Sequence, residues 1–321
     1  MIEITASVFC TSLGAFLFRR EIIPRSFPNL LGRLLYWLGV PLQILVLTRK
    51  SNLSQSIWLL PIATIATLLL GLGLACVSLQ LLRQLTQNQL VSPKVKKFCK
   101  SCYPKNCAER GSFMLSAIFG STGFAGLVIV PAFVDSNYLA WVVLYSVTHI
   151  LVGSYGIGVL LANYFGKSQK KSFQRTTWRD LLCIPSLWTF LLSYYTHHIH
   201  FPRTVDLLLQ AITFSVVPGA LFLIGMQLSQ LQSFQSLRSA IVPSTIKMLV
   251  LPGLVGLAAT LMGVSHGGCL TLVLMSGMPT AFTNAILAEE YHLSSSVTSS
   301  SIILSTMMLP IVIPLWLFLF R

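Results

Sequence analysis

The stretch 276–292, SGMPTAFTNAILAEEYH, decides how we interpret this sequence. Gly277 and Pro279 interrupt an apolar run, and a proline inside a helix removes a backbone donor at a cost of about 3 kcal/mol. Thr280 and Asn284 add polar side chains to the same region. Inside a membrane, lipid cannot satisfy the backbone groups that such a break frees, so they must meet protein or water. The stretch therefore predicts a membrane helix that is interrupted at a functional site.

The surrounding sequence has the composition of a polytopic membrane protein. Of its 321 residues, 54% are hydrophobic and only 9% are charged, whereas soluble domains carry about 25% charged residues. Apolar runs of about 20 residues are long enough to cross a bilayer as helices. We expect the first run to be retained rather than cleaved as a signal peptide, because its positive charges follow the apolar part. The sequence predicts an all-α protein with ten spans, at 2–18, 29–48, 56–82, 112–134, 138–162, 178–196, 205–229, 238–262, 267–288 and 296–320.

The net charge of +14 indicates orientation rather than a nucleic-acid partner. Sixteen lysines and arginines fall in the loops after spans one, three, five and seven, and only four fall on the other side. Because loops rich in lysine and arginine stay in the cytoplasm, both termini are predicted outside, with the protein in the plasma or inner membrane. The basic loops also attract anionic lipid headgroups.

The longest loop contains three closely spaced cysteines, Cys99, Cys102 and Cys107, in the sequence CKSCYPKNC. Such spacing is found in zinc and redox sites, but no histidine lies nearby to complete four ligands. Reduced thiols in a cytoplasmic loop are the simpler interpretation. The sequence therefore predicts no metal and no cofactor.

The chain divides into two halves that echo each other. Residues 1–163 and 178–321 each hold five predicted spans, and a polar, basic connector at 164–177 joins them. Because five is an odd number, the second half starts from the opposite membrane face, as in the inverted repeats of secondary transporters. Pro41 and Pro218 lie mid-span at the second position of each half. Residues 120–124 in span four align with 278–282 in span nine, and paired interrupted helices point to a transporter binding site.

Four stretches of the sequence carry a family resemblance: RGSFMLSAIFGSTGFAGLVIV (110–130), VVPGALFLIGMQLS (216–229), KMLVLPGL (247–254) and SGMPTAFTNAILAEEYHLSSSVTSSSIILSTMMLP (276–310). They resemble the auxin efflux carrier family, in its bacterial membrane-transporter branch. The resemblance implies ten helices in two inverted repeats, with a scaffold from spans one, two, six and seven. It implies a moving domain from spans three to five and eight to ten, in which spans four and nine break and cross. It also allows a homodimer through the scaffold.

Three differences from the family pattern bear on the substrate. Family members usually have Asn at the position of Ser121 and Pro at that of Val128, and the large cytoplasmic loop of the plant hormone exporters is absent. Auxin is therefore a poor guess, and the bacterial relatives instead suggest a small organic anion such as a dicarboxylate. Without that proline and asparagine, the break in span four would depend on Gly120, Gly123 and Gly126. Gly277 would have the same role in span nine.

Polar side chains at the two breaks are the predicted substrate contacts. Positive half-helix N-termini would attract a carboxylate, and nearby hydroxyl and amide groups would donate hydrogen bonds to it. Pro279 marks the second break, and Phe124 and Phe282 would shape the cavity. The predicted donors are Ser121, Thr122, Thr280, Thr283 and Asn284. For each hydroxyl, a bond to the preceding helical turn is an equally plausible role.

Three ionisable residues are candidates for charge compensation or coupling. Lys247 lies about ten residues inside span eight, where an ionisable group costs at least about 2.5 kcal/mol, so function is the default hypothesis. It would neutralise half-helix C-termini, replace a bound sodium ion, pair with the substrate, or snorkel to the interface. His149 would carry protons or pack neutrally, and Glu289 would gate, carry a proton or face solvent. The HHIH segment, with His197, His198 and His200, falls in an outward loop without an assigned role.

Other functional classes have less support. No GxSxG turn or HExxH helix is present, and the acids lie at span ends, so we expect no enzymatic activity. A channel would need a lined pore or repeated filter, and neither is visible. The sequence predicts a secondary carrier that moves a small organic anion by alternating access, either driven by protons or as a uniporter. The alternatives are a sodium-coupled symporter and a membrane sensor or scaffold that does not transport.

Overall fold

The computed structural model describes residues 2–24, 26–50, 59–88, 92–166, 185–196, 202–230 and 237–320. Within these ranges the chain is helical, apart from connecting segments and one isolated antiparallel bridge between Gly120 and Thr280. We number the helices in chain order: α1 (Ile2–Arg19), α2 (27–50), α3 (Leu59–Gln87), α4 (Pro93–Cys102), α5 (Cys107–Ile118), α6 (Thr122–Ala132), α7 (Ser136–Phe165), α8 (Pro185–Tyr195), α9 (Arg203–Gln230), α10 (Leu237–Leu261), α11 (His266–Ser276), α12 (Thr283–Glu290) and α13 (Ser295–Phe320).

Within the described ranges, six helical segments are long and apolar enough to cross a membrane. They are all of α3, α7, α10 and α13, together with Leu30–Arg49 in α2 and Arg203–Leu223 in α9. The regions of predicted spans four and nine each contain two shorter helices, α5 with α6 and α11 with α12. Most of the predicted connector and the HHIH segment lie outside the described residues. The structure is thus all-helical over the described ranges, with several segments of membrane-spanning length.

Two sets of helices pack mainly among themselves. The helix α1 lies along α9, and α2 packs against α8 and α9. In the other set, α5 is surrounded by α3, α7, α10 and α13, while α11 packs on α10 and α13. From Gly111 to Ile118, and from Gly268 to Ser276, every residue of α5 and α11 is buried. Because these parts of both helices are buried on all sides, the breaks that follow them begin in the protein interior.

The longest loop contains the helix α4, which we did not expect. Ser92 precedes it and Pro93 occupies its first turn, a position where the missing N–H of proline leaves no hydrogen bond unmade. Cys99 and Cys102 are buried on the side that faces the protein, whereas Cys107 is exposed. Burial raises the pKa of the Cys102 thiol above its ordinary value. All three thiols are free, and the described residues contain no group of three potential metal ligands.

Candidate functional site

The two interrupted helices meet at their breaks. We use the name crossover for the segments Phe119–Ser121, between α5 and α6, and Gly277–Phe282, between α11 and α12. The segments run antiparallel: the amide of Ser121 donates to the carbonyl of Pro279 at 2.7 Å, and the amide of Ala281 donates to the carbonyl of Phe119 at 3.0 Å. These reciprocal bonds satisfy backbone groups that the helix breaks would otherwise leave unpaired.

Gly120 is required where the two segments approach most closely. It lies opposite Thr280 in a pair that exchanges no hydrogen bond, the arrangement in which antiparallel backbones come nearest. A Cβ atom added to Gly120 would lie 2.7 Å from Cε of Lys247 and 2.8 Å from the carbonyl oxygen of Met278. Glycine is thus the residue that leaves room for the lysine at the crossover.

Lys247 joins the carboxyl ends of the two helices that lead into the crossover. Its ammonium group donates to the carbonyl of Ile118 at 3.1 Å and to that of Ser276 at 2.9 Å. These are the last residues of α5 and α11, and each helix C-terminus carries a partial charge of about −0.5. One ammonium therefore balances the charge of both helix ends. The side chain is only 1% exposed, so it does not snorkel to the membrane surface.

A local widening of α10 aims Lys247 at these carbonyls. Residues Ile246–Val250 form a π-helical turn, and such turns are frequent at functional sites. The indole nitrogen of Trp316, from α13, donates to the carbonyl of Met248 at 3.1 Å. This bond occupies a backbone acceptor within the widened turn and holds α10 against α13.

The amino ends of α6 and α12 present unpaired backbone donors. The amides of Gly123, Phe124 and Thr283 find no acceptor among the described residues. Thr283 is exposed, and Phe282 beside it is 38% exposed. Ser121, Gly123 and Phe124 are half-buried. This part of the crossover is therefore more accessible than the part that surrounds Lys247.

Thr280 and Asn284 are buried and already use their donors within the protein. The Thr280 hydroxyl donates to the carbonyl of Ser116 at 3.2 Å. The Asn284 amide nitrogen lies 3.1 Å from the carbonyl of Leu115 and 3.3 Å from that of Phe119, while its Oδ1 atom has no partner in the described part of the chain. Both side chains thus stabilise the end of α5, and their contact with a substrate stays a prediction. Pro279 is likewise buried.

His149 lies next to the start of α6. Its Nδ1 atom is 3.2 Å from the hydroxyl of Thr122, which is buried. The imidazole stacks on Tyr145 and makes an edge contact with Phe119, and its Nε2 atom finds no partner among the described residues. His149 is the first residue of a π-helical stretch, His149–Gly158, within α7. The structure thus brings His149 to the crossover, and its role as a proton carrier stays a prediction.

Glu289 is not part of this group. It is exposed near the carboxyl end of α12, whereas the crossover lies at the amino end of that helix.

The other three glycines that the sequence placed at the breaks each lie close to a neighbouring side chain. A Cβ atom at Gly123 would come within 2.9 Å of Ile150, one at Gly126 within 3.1 Å of Met275, and one at Gly277 within 3.3 Å of Pro252.

Two polar residues at the site were missed by our sequence analysis. The hydroxyl of Ser305 accepts the amide of Thr280 at 3.0 Å and donates to the carbonyl of Ser301. The spacing of four residues between these serines in α13 was an available signal, because it places both on one helix face. The side-chain amide of Gln43, in α2, donates to the carbonyl of Leu127 in α6 at 2.7 Å. The one sequence signal for this contact was that Gln43 is a polar residue in an apolar span.

Comparisons with known proteins identify sequences that are similar to this chain. Residues 1–317 match a family model described as membrane transport protein. A segment of 203 residues, 63% of the chain, is 24% identical to an uncharacterized transporter of Methanothermobacter thermautotrophicus. The match spans 65% of the length of that relative.

Proposed function

Since the chain belongs to the membrane transport protein family, as its resemblance to the auxin efflux carriers predicted, we propose that it is a secondary carrier for a small organic anion. The substrate would bind at the crossover, against the amino ends of α6 and α12. We expect it to carry a carboxylate group and to be translocated by alternating access.

The distribution of charge at the crossover is the observation that supports an anion. Four helix ends meet there, and Lys247 balances the two negative ones. The two positive ends carry unpaired amides, and no Asp or Glu is among the buried residues of the described chain. An anion would supply the missing acceptors, because helix amino ends stabilise negative charge. A cationic substrate would find no counter-charge in these surroundings.

Substrate contacts are assigned by accessibility. Ser121 and Thr283 are our first choices for direct hydrogen bonds, since both are less buried than Thr280 and Asn284. Phe124 and Phe282 would form the apolar wall that contacts the carbon skeleton of the substrate. Thr122, Thr280 and Asn284 would act mainly by fixing the helix ends in place.

The proposed architecture has ten spans in two inverted halves. The mutual packing of α1, α2, α8 and α9 is compatible with a scaffold, and the remaining helices would form the moving domain. Antiparallel pairing of the two breaks is what inverted halves would produce. We place both termini outside a plasma or inner membrane, in a protein that forms a homodimer through the scaffold.

Proton coupling or uniport is our preferred mode. His149 is buried beside the crossover with one ring nitrogen unpaired within the described residues, a suitable position for a group that exchanges a proton during transport. Uptake with and without an inward proton gradient separates the two modes. Sodium dependence of uptake would indicate the alternative symport mode.

Uptake by proteoliposomes of purified protein tests the proposal. The labelled acids are malate, malonate, pyruvate and an indole acid. Uptake of each acid is measured with and without an inward proton gradient, and counterflow of the same acids is a second assay. We expect saturable uptake of one acid that Thr283→Val reduces at least about tenfold, since a lost hydrogen bond to a charged group is worth about 1.5–3 kcal/mol. Thr306→Val is a matched control, because Thr306 bonds its own helix at the carbonyl of Ile302.

Two results would contradict the proposal. Folded protein that transports none of the acids in either assay would remove the substrate class. Equal uptake by wild type and by the Thr283→Val and Ser121→Ala variants would move the substrate site away from the amino ends of α6 and α12.

A further inference from the structure

The helix α4 has an apolar side that the protein only partly covers. Cys99 and Cys102 are buried against the bundle, where α4 packs on α3 and α10. Val95 and Phe98 flank this side and are 46% and 48% exposed. In a helix, residues three and four positions apart lie on one face, so these four residues form a single apolar strip of which half is open.

The opposite side of α4 is strongly basic. Lys94, Lys97 and Lys100 are exposed and repeat every three residues. Between residues 83 and 110 there are seven lysines and arginines but a single acid, Glu109, whose carboxylate accepts the backbone amide of Lys105. The charge of the α4 lysines is therefore largely uncompensated within this segment. The matching partner is a surface with dense negative charge.

The position of α4 in the fold identifies that surface. It follows α3, whose last turns expose Leu81 and Leu85 to the surroundings of the bundle. It also lies beside the start of α10, where the hydroxyl of Ser239 contacts the carbonyl of Ser101. Because the exposed leucines continue to within three residues of the end of α3, the lipid-facing surface of the bundle reaches the level of α4. The helix thus lies at the boundary between acyl chains and headgroups.

We propose that α4 is an interfacial anchor for anionic phospholipid. Phe98 and Val95 insert among the upper acyl carbons, and Lys94, Lys97 and Lys100 bind the headgroup phosphates. An amphipathic helix with a basic polar face and an aromatic residue on its apolar face is typical of segments that lie in the membrane interface. The buried cysteines fix the rotation of α4 on the bundle, so both sets of side chains meet the lipid together.

Competition between lipids for the full-length protein tests this anchor. Purified protein in neutral detergent is incubated with equal amounts of phosphatidylglycerol and phosphatidylcholine, and the retained lipids are counted by native mass spectrometry. Each lysine near an anionic surface changes binding about fivefold. We expect the triple variant K94Q/K97Q/K100Q to lose the preference for phosphatidylglycerol by at least that factor. Raising the salt concentration should weaken the preference of the wild type.

Matched variants make the result specific to α4. The triple variant K167Q/K170Q/K171Q removes the same charge from the connector and should keep the preference, as should K94R/K97R/K100R. Phe98→Ser should reduce retention of both lipids, because it removes the inserted ring but no charge. Thermal unfolding in phosphatidylcholine alone verifies that each variant is folded.

Three outcomes would overturn the anchor. One is an unchanged lipid preference in K94Q/K97Q/K100Q, and another is an equal loss in the connector variant, which would make the effect one of net charge alone. The third is displacement of phosphatidylglycerol by an equal concentration of soluble glycerol phosphate, which would mean that the acyl chains contribute nothing. None of these readouts depends on transport, so the anchor and the proposed carrier function stand or fall separately.

Discussion

Replacing Lys247 with methionine tests the charge balance of the crossover most directly. Methionine is unbranched and of similar length, so the substitution removes the charge and the donors with little change in packing. Two hydrogen bonds from a charged group are lost, at about 1.5–3 kcal/mol each, while the insertion cost of at least about 2.5 kcal/mol is relieved. We therefore expect a net destabilisation of about 1–3 kcal/mol.

The same substitution should weaken the binding of an anion. Without the ammonium, the carboxyl ends of α5 and α11 leave about one negative charge uncompensated beside the proposed site. At a separation of about 8–12 Å and an effective dielectric constant of about 20, one charge changes the energy of an anion by about 1.4–2 kcal/mol. This predicts an apparent KM for uptake that is raised about 10- to 30-fold.

Proteoliposome uptake gives the KM, and thermal unfolding in detergent gives the stability of the same preparation. Met248→Leu is the control, since Met248 is the neighbouring buried residue and a volume-conserving change there should cost less than about 1.5 kcal/mol. An unchanged KM in a Lys247→Met protein that unfolds at the temperature of the wild type would refute the charge-balance account. A loss of uptake that Met248→Leu reproduces would show a packing effect instead.

Three further predictions concern single contacts. Gly120→Ala places a methyl group against the buried ammonium, so we expect a loss of about 1–3 kcal/mol in thermal unfolding and impaired uptake; stability equal to wild type would mean that the crossover has room there. Ser305→Ala leaves the Thr280 amide without its acceptor and should lower the free energy of unfolding by about 1–3 kcal/mol. Denaturation in detergent measures this change. An unchanged free energy of unfolding would mean that the amide has another partner. In variants that retain one cysteine, maleimide should label exposed Cys107 quickly and buried Cys102 slowly at neutral pH. The labelling rate of Cys102 should keep rising with pH, because burial raises the pKa of its thiol and the thiolate is the reactive form. Equal rates would contradict the burial of Cys102.

Composition and local helix breakers were enough to predict the broad fold and the location of both breaks. A charged fraction of only 9% and apolar runs of about 20 residues leave few alternatives to membrane helices. Several prolines, such as Pro218 and Pro310, stay inside helices, so it was the combination of glycine, proline and polar residues that marked the two breaks. The observed interruptions at 119–121 and 277–282 fall inside the predicted spans four and nine. We missed the helix α4 because we treated its lysines only as the charges of a loop. Ser92 followed by Pro93 is nevertheless a recognisable helix start.

The partners of the polar side chains were beyond local sequence reasoning. Lys247 was expected to have one of several roles, and its two carbonyl partners lie 129 and 29 residues away along the chain. The π-helical turn that aims it has no signature in the sequence that we recognise. Likewise, Asn284 reaches carbonyls 169 and 165 residues away. Such contacts depend on how helices pack, which periodicity and propensity do not specify.

The carbonyl groups that a broken helix leaves unpaired explain why polar side chains gather at the end of α5. A helix that ends leaves its last four carbonyls without intrahelical partners, and in α5 three of these four accept a side-chain donor. Leu115 receives Asn284, Ser116 receives Thr280 and Ile118 receives Lys247. The amides at the start of α6 and α12 have no corresponding side-chain acceptors in the described chain. Side chains thus satisfy the carbonyls at the end of α5, whereas the amides of Gly123, Phe124 and Thr283 find no acceptor among the described residues. Our proposal assigns these free amides to a reversibly bound anion, which would supply the acceptors that the protein does not.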